Sequence, residues 1–326
     1  MTQTLPEAIA QFSPARPLAV AFSGGADSTA LLLACQQKWP GQVGAIHIHH
    51  GLQAAADHFQ RHCEQMCAQL NVPLVVRRVK AGADAGQSPE DAARRARYRA
   101  FAELAVEGWP RWDAKFDIKA RTLLLAQHAD DQVETVLLAL GRGSGLPGLA
   151  AMPRHWRRDG IEFHRPLLGV SAGDIRNWLL QQRADFIDDP SNADLRFTRN
   201  QLRAQVIPVL QAVFPSLRDT FARSATHAAQ AQALLREFGA VDLMETEDTS
   251  ATGLVIKKLQ ALSPGRQTNL LRHWLTTRFA TQASAAQLHE LLDQLAACTT
   301  RGHKINIRLG AGFAARQNEI LTWYNS

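Results

Sequence analysis

Leu18-Ala19-Val20-Ala21-Phe22-Ser23-Gly24-Gly25-Ala26-Asp27-Ser28-Thr29-Ala30-Leu31-Leu32 is the stretch that decides the fold. Pro17–Phe22 reads as a buried strand and Ser28–Gln37 as the helix after it. Between them, Gly24 and Gly25 let the backbone turn tightly and bring N–H groups close to a ligand. The helix start aims its unpaired N–H groups and positive dipole end at the same point, which suits an anion. Ser23 and Ser28 add hydroxyl donors. Asp27 would repel bare phosphate, so it fits as a magnesium ligand beside one. The loop is neither a Walker G-x4-G-K-S/T pattern nor the dinucleotide G-x-G-x-x-G pattern. An ordinary glycine-rich turn is the alternative; the flanking strand and helix and the closing Asp27-Ser28 favour phosphate.

Working outward, β-type runs at Val43–His50, Val72–Val79 and Arg121–Ala126 alternate with helical patterns over Ala54–Leu70, from Ser88-Pro89-Glu90-Asp91, and from about Asp130. Such alternation predicts an α/β domain on a parallel sheet. Past about Pro215 the texture changes to Ala/Gln/Leu-rich helical segments over residues 216–240, 265–280 and 285–297. Alternating pieces at Lys304–Arg308 and Ile320–Tyr324 suggest a small sheet, and Glu245–Ser250 reads as a solvated loop. The expected organisation is a catalytic domain over residues 1–215 and a smaller, mainly helical domain over 216–326.

At 326 residues, 46% hydrophobic and 20% charged, the chain has material for two globular cores. It shows neither a signal-peptide pattern nor an apolar run of membrane-spanning length, and four cysteines are too few for a disulfide framework. A reducing cytoplasm is the expected location. Cys63 and Cys67, one helical turn apart, read as core packing. A net charge of +6 is too mild to imply nucleic acid by itself.

Several further segments carry chemistry. His47-Ile48-His49-His50-Gly51-Leu52 ends the second strand, with His47 and His49 on one face and His50 on the other. Arg94 and Arg97 lie one turn apart in Glu90-Asp91-Ala92-Ala93-Arg94-Arg95-Ala96-Arg97-Tyr98; a solvated basic face is the plain alternative. His128-Ala129-Asp130-Asp131-Gln132-Val133-Glu134-Thr135 opens a helix with three acids near its start, more than dipole pairing needs. Downstream come Arg142-Gly143-Ser144-Gly145-Leu146, Gly148-Leu149, Asp189-Pro190-Ser191-Asn192 and Arg199-Asn200-x-x-Arg203. Arg154-His155-Trp156-Arg157-Arg158 joins cations to a stackable aromatic, as an RNA contact would, although a loop with incidental charge reads equally well.

The Ser23–Ser28 loop resembles the pyrophosphate loop of the N-type ATP pyrophosphatases. The ordered set, from that loop to about Leu210, closely resembles the tRNA(Ile)-lysidine synthetase family. The resemblance implies a PP-loop, adenine-nucleotide-α-hydrolase-like fold and use of ATP with Mg2+. It implies isoleucine tRNA with a CAU anticodon and free lysine as substrates, giving lysidine, AMP and pyrophosphate. It assigns nucleotide binding to Ser23, Gly24, Gly25, Ala26, Asp27, Ser28 and His49. Asp27, Asp131, Glu134, Arg94, Arg97 and Arg199 become candidate catalytic residues, with Asp27 as the magnesium ligand. Asp130, Asp131, Glu134, His128 and Arg203 become candidate substrate contacts. Gln127 departs from the family, which often has a second histidine there. A chain ending at 326 is expected to be the shorter form, without the additional C-terminal domain; a homodimer is a candidate assembly. Two alternatives stand: a PP-loop tRNA thiolase, which typically carries paired cysteines, and a non-catalytic nucleotide-binding module, which has no use for acids beside phosphates. At a helix N-terminus, Asp131 and Glu134 are expected to stay ionised and to be weak bases.

Overall fold

A central parallel strand, β1 (Leu18–Ala21), organises the computed structural model, which describes residues 3–49, 51, 56–79, 89–107, 121–249, 253–300 and 302–325. Side chains of residues 89–91, 106–107 and 190–191 are not described, and His50 and Ser88 lie outside the described residues. The chain divides between His227 and Ala228 into two units.

The first unit runs α1 (Leu5–Gln11), β1, α2 (Ala26–Lys38), β2 (Val43–His49), α3 (Ala56–Gln69), β3 (Leu74–Arg78), α4 (Pro89–Glu107) and β4 (Thr122–Leu124). It continues with α5 (Ala129–Gly141), α6 (Leu146–Leu149), β5 (His155–Arg158), β6 (Ile161–His164), α7 (Ala172–Gln182), α8 (Thr198–Gln201), a π-turn (Leu202–Val206) and α9 (Ile207–Val213). The strand order is β3-β2-β1-β4-β6-β5, parallel except for β5, which pairs antiparallel with β6 at the edge. Leu18, Ala19 and Val20 are fully buried, as a strand covered on both faces requires. Helix α2 buries Ala30, Leu31, Leu32 and Cys35 against that sheet, while Phe101 of α4 packs with Ile46, Leu123 and Phe163 in a separate cluster.

The loop alternative for Arg154–Arg158 is corrected, because His155–Arg158 forms strand β5. Asp159 and Gly160 both take positive φ (51° and 75°), the turn that matches strand twist in a two-residue hairpin. Trp156 is consequently turned inward, stacked on Phe163 at 4.8 Å and covered by the Arg165 guanidinium at 4.1 Å. Its ring is partly buried against the cluster that holds Tyr98, Phe101 and Phe163.

Helix α10 (Leu217–Thr246) carries the chain into the second unit, which holds β7 (Gly253–Val255), α11 (Ile256–Gln260), α12 (Pro264–Phe279), α13 (Ala285–Ala297), β8 (Asn306–Leu309), β9 (Gly312–Gln317) and β10 (Ile320–Tyr324). Its antiparallel sheet has the order β7-β10-β9-β8. Leu288, Leu291 and Leu295 form one stripe of α13 and pack with Trp274 and Leu275 of α12. The buried Asp242 carboxylate is paired with Arg266. The expected loop at Glu245–Ser250 is corrected: α10 continues through Thr246, which is buried, and Ser250 lies outside the described residues. Among the described residues no helix is long and apolar enough to cross a membrane.

All four cysteines are free and buried. Burial pushes the Cys63 and Cys67 thiols up, Cys67 to about 12. Cys63 Sγ lies 3.4 Å from His47 Nδ1. Cys67→Ser should therefore cost about 1–3 kcal/mol by burying a hydroxyl. Cys63→Ser should cost less, because its hydroxyl can bond the His47 ring. Urea denaturation of the two variants tests that order, and the reverse order would refute the packing account.

Candidate active site

The Ser23–Ser28 loop leaves β1 with Gly24 at φ +84°, a backbone conformation that favours glycine. A Cβ at position 24 would also sit 3.2 Å from both Cys63 Sγ and His62 Cδ2, so the loop lies tight against α3. The Ser23 and Ser28 hydroxyls are 3.0 Å apart, Ser23 N–H donates to Ser28 Oγ, and Ser28 Oγ–H donates to Gly25 C=O. Ile187 N–H donates to Gly24 C=O at 2.9 Å, tying the loop to the segment after α7. Gly25 caps α2 without a side-chain bond, and Asp27 stands in its first turn with its carboxylate 43% exposed. Burial pushes the Asp27 carboxyl above its ordinary value, opposed by His128 and reinforced by Asp131.

Strand β4 lies beside β1, so its end delivers His128 and α5 to the same place. The buried His128 ring places Nε2 3.6 Å from both Asp27 Oδ2 and Asp131 Oδ2, and Nδ1 3.7 Å from Asp130 Oδ2. Asp131 accepts the His128 backbone N–H at 3.0 Å. Asp130 accepts Ala172 N–H at 2.8 Å and Arg218 Nε–H at 2.7 Å, which joins the starts of α5 and α7 to α10. These bonds hold its carboxyl below the ordinary value although burial opposes them. Gln132 fastens the other side of α5, exchanging two hydrogen bonds with the Met152 backbone.

Glu134 lies one turn further and is completely buried. Its Oε1 accepts from Arg203 Nε and Nη2 at 2.8 and 2.7 Å, while Arg199 Nη1 is 3.8 Å from Oε2. Arg203 Nη2 also lies 3.6 Å from Asp131 Oδ1. Arg203 belongs to the π-turn, a rare local widening that recurs at functional sites. Burial pushes the Glu134 carboxyl up despite Arg203. That corrects the expectation of a weak base set by the helix dipole: with no solvent contact, desolvation outweighs it.

The structure thus brings Asp27, His128, Asp130, Asp131, Glu134, Arg199 and Arg203 together. His47 Nδ1 lies 2.9 Å from Phe22 C=O just before the loop, and His49 Nε2 lies 3.1 Å from Asp57. Arg94 lies over the Tyr98 ring at 5.2 Å and lines a cavity on α4, and Arg97 is half-buried on that helix. Sequence reading missed Arg165, 2% exposed, which donates to Gln127 Oε1 at 2.8 Å and Pro153 C=O at 2.7 Å. Burial lowers its pKa to about 10. The available signal was an arginine set against the apolar Pro166-Leu167-Leu168.

A family model described as a PP-loop domain matches residues 1–210, and one described as a TilS substrate binding domain matches residues 254–321. A tRNA(Ile)-lysidine synthase from Polaromonas naphthalenivorans (strain CJ2) is 55% identical over 304 residues, covering 93% of this chain and 88% of that protein. The chain belongs to the tRNA(Ile)-lysidine synthase family. Another tRNA(Ile)-lysidine synthase, from Enterobacter sp. (strain 638), is 39% identical, covering 95% of this chain and 70% of its own length. A solved U34-tRNA thiolase from Methanococcus maripaludis aligns with TM-score 0.56 and 12% identity, over 68% of this chain and 77% of that one, which shows a shared fold. Membership in the lysidine synthase family makes the chain an ATP-using enzyme of ligase type and bears out the resemblance carried by the loop and the acid motif.

In this lysidine synthase family member, stability should carry the signature of Asp130. Its folded carboxyl is lowered, so the Arg218 and Ala172 bonds stabilise the fold above the ordinary value of 3.8 and are lost as pH falls through the folded one. Asp130→Asn should cost about 2–3 kcal/mol at pH 7. The gap from wild type should shrink towards pH 3, as denaturation curves at the two pH values would show. A gap that stays constant would rule out the ionic account.

Proposed function

We propose that the enzyme adenylates the carbonyl oxygen of the wobble cytidine in isoleucine tRNA with a CAU anticodon and then joins free lysine to the activated carbon. In the first step the cytidine oxygen bonds the α-phosphorus of ATP and pyrophosphate leaves. In the second, the lysine ε-nitrogen bonds the ring carbon, and the carbon–oxygen bond breaks as AMP departs with the oxygen. The supporting observation is the convergence of Asp27, His128, Asp131 and Glu134, beside Arg199 and Arg203, at the ends of the adjacent strands β1 and β4. The relatives' name supplies the tRNA, and the model matching residues 254–321 supports a substrate-binding role for the second unit. An action on tRNA supports a cytoplasmic location.

Each residue has a physical role in this reading. The loop N–H groups and the start of α2 hold the phosphates. Asp27 would hold magnesium; its half-open carboxylate, with Asp131 nearby, offers the hard oxygen donors this ion takes, and the ion supplies neutralisation of phosphate charge. Asp131 and Glu134 attract the lysine ammonium. Glu134, its carboxyl raised by burial and its Oε2 without a hydrogen-bond donor, accepts a proton so that the neutral amine can attack. Asp130 anchors the helix that carries them. Arg199 and Arg203 keep the acids from repelling one another and confront the substrate phosphates. The thiolase alternative needs accessible thiols, whereas all four are buried.

Glu134→Gln and Asp131→Asn should impair lysine transfer more than adenylation. The lysine KM should rise about 10–100-fold, as expected for losing a charged hydrogen bond, and adenylated tRNA should accumulate. Asp27→Ala should instead abolish AMP and pyrophosphate formation with little change in Tm. Mass spectrometry of tRNA nucleosides after incubation with ATP and labelled lysine reads both. Unchanged lysine dependence in the Glu134 and Asp131 variants, with pyrophosphate release lost, would move these acids from lysine to magnesium.

A further inference from the structure

Away from the acid cluster, positive charge gathers where α4 meets the β5–β6 hairpin. A cavity of about 580 Å³ is lined there by Arg94, Arg95 and Arg99 of α4 and by Arg158 of β5. Among the described residues the lining carboxylate is Asp159, which accepts from Arg158 Nε at 3.1 Å. Arg94 and Arg158 lie over the Tyr98 ring at 5.2 and 5.4 Å. Tyr98 is itself buried against Phe101 and Phe163. An aromatic floor of this kind positions both guanidinium groups, and Arg158 holds Asp159 as well. Arg157, one residue back on β5, lines a second cavity of about 330 Å³ with Arg16, Arg121 and Glu162. Glu162 is engaged by Arg157. Neither cavity is lined by the Ser23–Ser28 loop or by the acids of α5.

We propose that this α4/β5–β6 edge is the docking surface for the sugar–phosphate backbone of the tRNA. The Arg99–Arg158 cavity takes one phosphate and the Arg157 cavity another stretch of the strand. The proposal rests on the reading that the substrate is a tRNA. Several guanidinium groups crowded at one edge repel one another, and a polyanion relieves that repulsion while a single small ligand would leave part of it. The same charge disfavours a metal ion at His155, Glu162 and His164, whose ligand atoms lie within 4.8 Å of one another. Contact here is with backbone rather than bases, because the hairpin's aromatic, Trp156, is stacked on Phe163. Packing also fixes the distance to the chemistry: Tyr98 meets Trp156 at 6.5 Å, Trp156 lies under Arg165, and Arg165 bonds Gln127, the neighbour of His128. A phosphate held at Tyr98 is thereby placed through rigid contacts relative to the acids.

The test is binding of an unmodified transcript of isoleucine tRNA with a CAU anticodon, measured by fluorescence anisotropy over a series of KCl concentrations. Arg99→Ala/Arg158→Ala should weaken binding about tenfold or more at 0.1 M salt and reduce the log–log salt slope by about 1–2. The KM for tRNA should rise in proportion, with kcat at saturating tRNA and tRNA-independent ATP binding unchanged. Arg99→Lys/Arg158→Lys keeps the charge and should retain most of the slope, which separates lost charge from a damaged fold. Wild-type affinity and slope in the alanine pair would overturn the proposal. So would an equal loss from Arg61→Ala/Arg183→Ala, which removes the same charge elsewhere. If the alanine pair weakens tRNA binding as expected but the wild type makes no lysidine, the proposed function fails and the docking surface stands. If lysidine forms and the alanine pair behaves as wild type, the docking surface fails alone.

Discussion

The parallel pairing of β1 with β4, in register from Leu18↔Thr122 to Val20↔Leu124, is the constraint on which the site depends. The chain runs from β1 outward through β2 and β3, then returns to place β4 on the other side of β1. Connections leaving β1 and β4 at their carboxyl ends therefore turn away on opposite sides and leave a crevice, the usual ligand position in such sheets. One lip is the Ser23–Ser28 loop and the other is His128 with the start of α5. Three buried residues on each strand set where the lips sit, and the 3.6 Å separations from His128 to Asp27 and Asp131 follow from that register. A one-residue slip would turn every inward side chain outward and part the two lips.

Such a crevice concentrates like charge, and the structure meets that cost with specific partners. Asp130 is held by Arg218 and Ala172, Glu134 by Arg203, and Asp131 by the His128 backbone N–H. Removing one partner from a buried pair typically costs about 3–5 kcal/mol, so these arginines are structural as well as chemical. The two best-held acids move in opposite directions. Asp130, held by the Ala172 N–H and the Arg218 guanidinium, is kept low, whereas Glu134, without solvent and with one oxygen lacking a donor, is pushed up. One short helix thus carries two carboxylates whose surroundings push their proton affinities in opposite directions.

Much of the architecture was legible in local pattern. The apolar run at Leu18–Phe22, the β-type run from Val43 and the leucine spacing near Leu288 each bury one face or two, and period alone reveals that. Hairpin β5–β6 escaped because Arg157 and Arg158 hide the alternation of Trp156 with its neighbours, leaving Asp159-Gly160 as its clear local cue. Arg165 escaped for a related reason: a buried cation is recognisable only from what surrounds it, and its partners Gln127 and Pro153 are remote in sequence.

The sequence by itself determined the glycine turn after β1 and the acid-rich helix start, because both are made by residues adjacent in the chain. Gly24 at φ +84° and three acids within five residues need no distant contact to be recognised. It also carried the family, through the order of its motifs. Tertiary structure alone decided what surrounds each acid. Asp130, Asp131 and Glu134 are chemically alike and close neighbours, and Ala172, Arg203 and Arg218, each 42 or more residues from the acid it bonds, help tell them apart. A carboxylate's proton affinity is set by its solvent and its partners, and neither is a property of the residue itself.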